Sequence, residues 1–198
     1  MKILAFVDSH GNMNVLKEVG QKAKKSDVDM VICAGDVSTF EQDIAKIIKG
    51  LDEIGVPVLI IPGNHESEKT LKEIASKSKN IVYLNKGMLR IKDYVFVGFS
   101  ANGFAERDPE FDRWVKKVKK EFRKEDKIIL VTHAPPYNTK LDNIMGSHCG
   151  NKDVRKFIET TNISLGISGH IHETAGREDS IKGRKIVNPG PKGMVIEV

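Results

Sequence analysis

The strongest constraint in this sequence is a set of five short apolar runs with no polar face. They are "KILAFV" at 2–7, "DMVICA" at 29–34, "VPVLII" at 56–61, "KIILVT" at 127–132 and "ISLGIS" at 163–168. A half-exposed strand alternates apolar and polar residues, whereas runs like these read as strands covered on both faces. Helical spacing lies between the first three: Leu16, Val19 and Ala23, then Ile44, Ile47, Ile48 and Leu51. Ser38 and Glu41, at capping-box spacing, predict the start of that second helix. Alternating strand and helix implies parallel strands in an α/β sheet. Residues 81–99 alternate differently, with Gly87 and Lys92-Asp93 as turn candidates, and predict antiparallel strands. The C-terminal "RKIVNPGPKGMVIEV" predicts a further hairpin-like pair around its Pro/Gly turn. With 198 residues, 39% of them hydrophobic, one sizeable core suffices, so a single domain over 1–198 is expected.

No apolar run approaches the roughly 18 residues of a membrane helix, and "MKILAFVDSHG" lacks the features of a signal peptide. Two cysteines give no disulfide framework and suit a reducing compartment, so a cytoplasmic protein without membrane contact is expected. The formal charge of +5 permits contact with polyanions. Yet in the densest basic stretch, 113–127, the apolar residues recur at helical spacing and put the lysines on a solvated face. A nucleic-acid partner is therefore not favoured, and a homo-oligomer is left open.

Each strand end carries polar groups. They are Asp8-Ser9-His10, Gly35-Asp36, Gly63-Asn64-His65-Glu66, His133 and Gly169-His170-Ile171-His172, and they hold five of the six histidines. Singly, each has an ordinary reading as a turn residue, cap or hydrogen-bonded neighbour. Together they would require five independent coincidences at one end of one sheet, where α/β proteins bind ligands. Imidazole, carboxylate and amide donors without thiolate suit manganese, iron, nickel or zinc. Asp8, His10, Asp36, Asn64, His133, His170 and His172 are too many ligands for one ion. If Asp36 bridges, two divalent ions, most simply Mn2+, receive four protein groups each. With a bridging hydroxide such a site retains about one positive charge, which favours an anionic substrate. Paired ions generate hydroxide near neutral pH and clamp the attacking and leaving oxygens of an in-line displacement.

In these blocks, "DSH", "GD", "GNHE", "TH" and "GHIH" in that order, the chain resembles the calcineurin-like metallophosphoesterase superfamily over residues 8–172. The resemblance implies a two-sheet β-sandwich flanked by helices, in four layers α/β/β/α. It implies one metal on Asp8, His10, Asp36 and His172, and the other on Asp36, Asn64, His133 and His170. It also implies that His65 is the outer-sphere acid, oriented by Glu66, and that the activity is phosphodiesterase or phosphatase chemistry on a small-molecule or nucleotide phosphoester. Where the superfamily's protein phosphatases read G-D-x-x-D-R-G, this chain reads "GDVSTFE", which disfavours a phosphoprotein substrate. The capping domain of its repair nucleases is not expected within these 198 residues.

Two other readings compete. "HCGNKDVR" at 148–155 satisfies His-Cys-x5-Arg, the pattern of cysteine-dependent phosphatases, through Cys149 and Arg155. It follows no buried strand, and Asp153 would repel phosphate. A non-catalytic metal-binding scaffold is the other, against which stand the retained ligands and His65. Arg155 is read as a substrate contact or a surface ion pair. The loop 134–153 is read as a lid or substrate wall, with Asn151 capping the next helix.

Overall fold

A computed structural model describes residues 1–101 and 103–198. Its first half alternates β1 (Lys2–Phe6), α1 (Met13–Ser26), β2 (Met30–Cys33), α2 (Ile44–Asp52), β3 (Val58–Ile60), α3 (Glu68–Ala75) and β4 (Ile81–Tyr83). Then come β5 (Gly87–Ile91), β6 (Tyr94–Phe99), α4 (Pro109–Val118), β7 (Lys127–Thr132), β8 (Asn143–Ile144), β9 (Ser147–His148) and α5 (Lys152–Thr160). The chain closes with β10 (Ile163–Ile167), β11 (Glu178–Ile181), β12 (Arg184–Val187) and β13 (Met194–Glu197). One sheet has the order β13-β1-β2-β3-β4, and the other β11-β12-β10-β7-β6-β5. In the first sheet β1 to β4 are parallel. In the second, β6, β7, β10 and β12 are parallel.

The missing polar face of the strands has a direct cause. In β1, Leu4 and Phe6 point to a core shared with α1, α2 and α3, while Ile3 and Ala5, with Val7 just beyond the strand, enter a central core between the two sheets. Phe96, Ile129, Val131, Leu165 and Ile167 reach that central core from the second sheet. Val95, Val97, Ile128 and Leu130 pack outward against Phe111 and Val115 of α4 and Val154 and Phe157 of α5. The result is the four-layer α/β/β/α sandwich, in which both sheets run between two apolar layers. No helix among the described residues is long and apolar enough to cross a membrane.

Three local expectations give way to tertiary structure. Ser38 and Glu41 do not box the start of α2, whose N-cap is Asp43 at φ +54° with no side-chain bond. Glu41 instead accepts from the Ser67 amide at 2.7 Å and the Thr70 hydroxyl at 3.2 Å, at the start of α3. The Ser38 hydroxyl donates to Glu66 at 2.7 Å.

Within 81–99, only β5 and β6 are antiparallel, turning at Lys92 (φ +56°) and Asp93. β4 pairs parallel with β3, because α3 carries the chain over the sheet between them. At the C-terminus β12 and β13 are not a hairpin. β12 pairs with β11 through the Lys182-Gly183 turn, and β13 joins the other sheet antiparallel to β1. The Pro/Gly segment between them crosses from sheet to sheet, and the closing strand covers the edge of β1, which would otherwise present unpaired amides.

Candidate metal centre

The site lies beyond the carboxyl ends of β1, β2, β3, β7 and β10, where each strand hands over to a loop. Four of the residues there, Asp8, His10, Asp36 and His170, have φ between 45° and 68°. Left-handed backbone is costly for residues with a Cβ, and it persists where the surroundings over-determine it. Here it swings each side chain off its strand axis toward a common centre.

Two glycines make room for this. A Cβ on Gly63 would stand 2.0 Å from Asp36 Oδ1, and one on Gly169 would stand 2.2 Å from Val7 Cγ2 and 2.9 Å from Asp8 Oδ2. Gly63 is thus required for close approach. Asn188, fully buried after β12, donates to the Ile171 carbonyl at 3.1 Å and to Thr174 Oγ1 at 2.9 Å, which pins the segment between His170 and His172.

The predicted residues come together. His10 Nε2 lies 3.0 Å from His172 Nε2. His133 Nε2 lies 3.1 Å from Asn64 Oδ1, 3.3 Å from Asp36 Oδ2 and 3.3 Å from His170 Nδ1. Asp36 Oδ2 is also 3.9 Å from His10 Nε2 and 4.0 Å from His65 Nε2, so this one carboxylate stands at the junction of two groups. Asp8, His10 and His172 form one group able to hold an ion, and Asp36, His133 and His170 form another. His65 also falls within reach of His10 and Asp36.

Spacings of 3.0–3.3 Å between donor atoms equal the edges of a coordination polyhedron with bonds of about 2.1 Å. Two facing imidazole nitrogens can share one proton or one cation. His133, fully buried, sets its Nδ1 3.0 Å from the Ala34 carbonyl. Donation of Nδ1–H there leaves Nε2 as a lone pair aimed at the centre, the support commonly found behind metal-ligating histidines. Asp8 Oδ1 and His170 Nε2 are buried without a hydrogen-bond partner among the described residues. Buried orphans of this kind are expensive unless a ligand completes them, so the donor set fits divalent cations.

Proton affinities are displaced accordingly. Burial pushes the Asp8 carboxyl up to about 6 against the opposing charge of His133. Burial also works to raise Asp36, but the His133 hydrogen bond and charge hold it down at about 2. Burial, reinforced by His133, lowers the His170 imidazole to about 4, and burial lowers His10 as well. Both are thereby favoured in the neutral form that binds metal. His133 is the exception: burial opposes its protonation, yet the Asp36 hydrogen bond and charge leave its pKa raised.

His65 receives the Phe40 amide on Nδ1 at 3.4 Å. A neutral ring that accepts there carries its proton on Nε2, the atom facing Asp36. Glu66 makes no hydrogen bond to His65 among the described residues. Its buried carboxylate accepts from the amides of Asp36 (3.0 Å), Ser38 (2.9 Å) and Gly63 (2.9 Å) and from the Ser38 hydroxyl. It ties the loop after β2 to the loop after β3, a function to which its neighbours in sequence give no clue.

The cysteine pattern fails on geometry. The amides that would cradle phosphate are already engaged: Cys149 by the Asp142 carbonyl, Gly150 by the Asp142 carboxylate, and Asp153 and Val154 by Asn151. Arg155 is engaged by Glu159 and by the carbonyls of Tyr137 and Asn138, the contacts of a surface ion pair that also ties down its own loop. Asn151 caps α5 as its sequence suggests. The loop it closes supplies Ile144 to a cavity of about 320 Å³ over the site.

A four-layer α/β/β/α sandwich whose strand ends gather carboxylate, amide and imidazole donors defines the metallophosphoesterase class of fold and site. The chain belongs to the calcineurin-like phosphoesterase family, which it matches over residues 1–174. It is 30% identical to the uncharacterized protein MJ1162 of Methanocaldococcus jannaschii over 212 aligned positions, covering 99% of this chain and 91% of that one. Among solved structures, TT1561 of Thermus thermophilus superposes with a TM-score of 0.77 at 17% identity, over 96% of this chain and 90% of that one. A dimetal phosphatase from Danio rerio superposes with a TM-score of 0.70 at 13% identity, over 94% and 86%.

Proposed function

We propose that residues 1–198 act as one domain that hydrolyses a small-molecule or nucleotide phosphoester. The ligands would be Asp8, His10, Asp36, Asn64, His133, His170 and His172, holding two divalent cations, with manganese first among iron, nickel and zinc. The observation that carries this reading is Asp36 Oδ2, within 3.3 Å of His133 and 3.9 Å of His10, which makes one carboxylate available to both ligand groups. The name of the Danio rerio dimetal phosphatase lends the two-ion reading support.

Bound there, divalent ions would lower the pKa of water toward neutrality and polarise phosphoryl oxygens. The chain's own work is positional. Asp8 and Asp36 would supply the negative charge that holds the cations. His133, fixed by Ala34, aligns Asp36 and Asn64. His65, with Nε2–H directed at the site, donates to a phosphoryl oxygen or to the leaving oxygen. In the reaction water gives up one proton to solvent as its oxygen forms a P–O bond, and the P–O bond to the leaving group breaks. Its electron pair stays with the leaving oxygen, which takes a proton from His65 or from solvent.

The test is metal-reconstituted protein assayed on bis-p-nitrophenyl phosphate, p-nitrophenyl phosphate and cyclic nucleotides, with bound metal counted by elemental analysis. Two ions per chain and chelator-sensitive turnover are expected. A metal-loaded protein inert on all of these would sustain the scaffold reading.

A further inference from the structure

Five large apolar side chains are strongly exposed among the described residues: Met13, Phe40, Phe104, Met145 and Val195. Isolated cases need no explanation, but two of these five, Phe40 and Phe104, stand against histidines of the metal centre, and a third, Met145, follows a cavity-lining residue in the chain. Phe40, 77% exposed, lies with its ring centroid 4.3 Å from that of His65. Phe104, 67% exposed, meets His170 edge-on, also at 4.3 Å, and lines the cavity. Met145, fully exposed at φ +49°, adjoins Ile144, which lines the same cavity. They come from three separate loops, after β2, after β6 and between β8 and β9, so no single amphipathic element accounts for the cluster. None of the three is held in place by a core.

Charge narrows the ligand further. Acidic Asp36 and Glu173 line the cavity, and no lysine or arginine does so among the described residues. Two divalent cations against Asp8 and Asp36 leave about one positive charge once an attacking hydroxide is counted. Glu173 at the cavity wall brings that count to about zero, so a singly charged phosphodiester adds one uncompensated negative charge where a phosphomonoester dianion adds two, which favours the diester.

Resting on the proposed phosphoesterase activity, we infer that Phe40 and Phe104 are specificity residues that receive a planar aromatic group, such as a nucleobase, on one arm of a phosphodiester. Aromatic faces stack on bases irrespective of sequence, and each ring stands one side chain away from a histidine of the centre. Phe40 also lends its amide to His65 Nδ1, so the residue that meets the arm orders the proton donor as well.

The experiment compares two diesters with a common leaving group, thymidine 5′-p-nitrophenyl phosphate and methyl p-nitrophenyl phosphate, alongside the monoester p-nitrophenyl phosphate. For Mn2+-loaded enzyme, kcat/KM is expected to favour the thymidine arm over the methyl arm by about tenfold or more, mostly through KM, and both diesters over the monoester. Phe104→Ala should bring the ratio of the two diesters close to one, Phe104→Tyr should retain it, and Phe40→Ala should reduce it. Saturation-transfer NMR on the base protons of thymidine 5′-methyl phosphate should lose intensity in Phe104→Ala. Equal kcat/KM for both arms, a ratio unmoved by either alanine variant, or a preferred monoester would overturn the inference while leaving phosphoester hydrolysis intact. Inertness toward all three substrates would overturn both.

Discussion

Glu66→Gln is the sharpest test of how the centre is assembled, because the substitution keeps shape and removes one acceptor. The carboxylate is 7% exposed and receives four donors, two on each oxygen. A glutamine can orient its amide nitrogen toward Ser38, whose hydroxyl can rotate to accept. The Ser38 N–H then faces another N–H and is left unsatisfied, at about 1–3 kcal/mol. The Asp36 and Gly63 amides keep a partner but lose charge assistance. The sum is about 2–3 kcal/mol, or roughly 4–12 °C in Tm for a chain of this size.

Urea denaturation of metal-free protein measures the stability loss without interference from cation binding. Calorimetric Mn2+ titration should show weakened affinity, since Asp36 N and Gly63 N fix the two loops that carry Asp36 and Asn64. A Gln variant within about 0.5 kcal/mol of wild type, with unchanged metal affinity, would refute the argument that this carboxylate holds the loops together. Loss of turnover alone, with stability and metal affinity intact, would return Glu66 to the role of orienting His65.

His65→Ala should lower kcat by about 10²–10⁴ while two ions remain bound, as judged by elemental analysis; loss of an ion would make His65 a ligand. Gly63→Ala, which drives a Cβ to 2.0 Å from Asp36 Oδ1, should abolish stoichiometric metal binding and lower Tm, and a variant that still binds two ions would show that the loop can yield. Cys149→Ser should leave kcat/KM within about twofold, and exhaustive chelation should abolish activity. Survival of activity after chelation together with its loss in Cys149→Ser would reinstate the cysteine mechanism.

The apolar runs at 2–7 and 127–132 were legible because a strand buried on two sides needs no polar alternation. That property belongs to local sequence, whatever the partner sheet. The capping box at Ser38 and Glu41 misled because both side chains had better partners across the loops, in Glu66 and at the start of α3. The C-terminal turn misled for a similar reason. A Pro/Gly segment announces a change of direction without saying which strand lies on the far side. Phe104 left no trace at all, since a lone aromatic in a loop has no periodicity to read.

The inventory was written in the residues alone: which strands are double-faced, and which donors stand at their ends. Spacing along the chain carries that information, because a donor placed just past a strand is carried to the strand's carboxyl end. How those donors are aimed depends on packing between distant segments. The left-handed turns at Asp8, His10, Asp36 and His170, the glycines that admit Asp36 and Asp8, and the Glu66 clasp all depend on atoms far apart in sequence. Their energy is realised only when two sheets close on one core, so no local pattern records it.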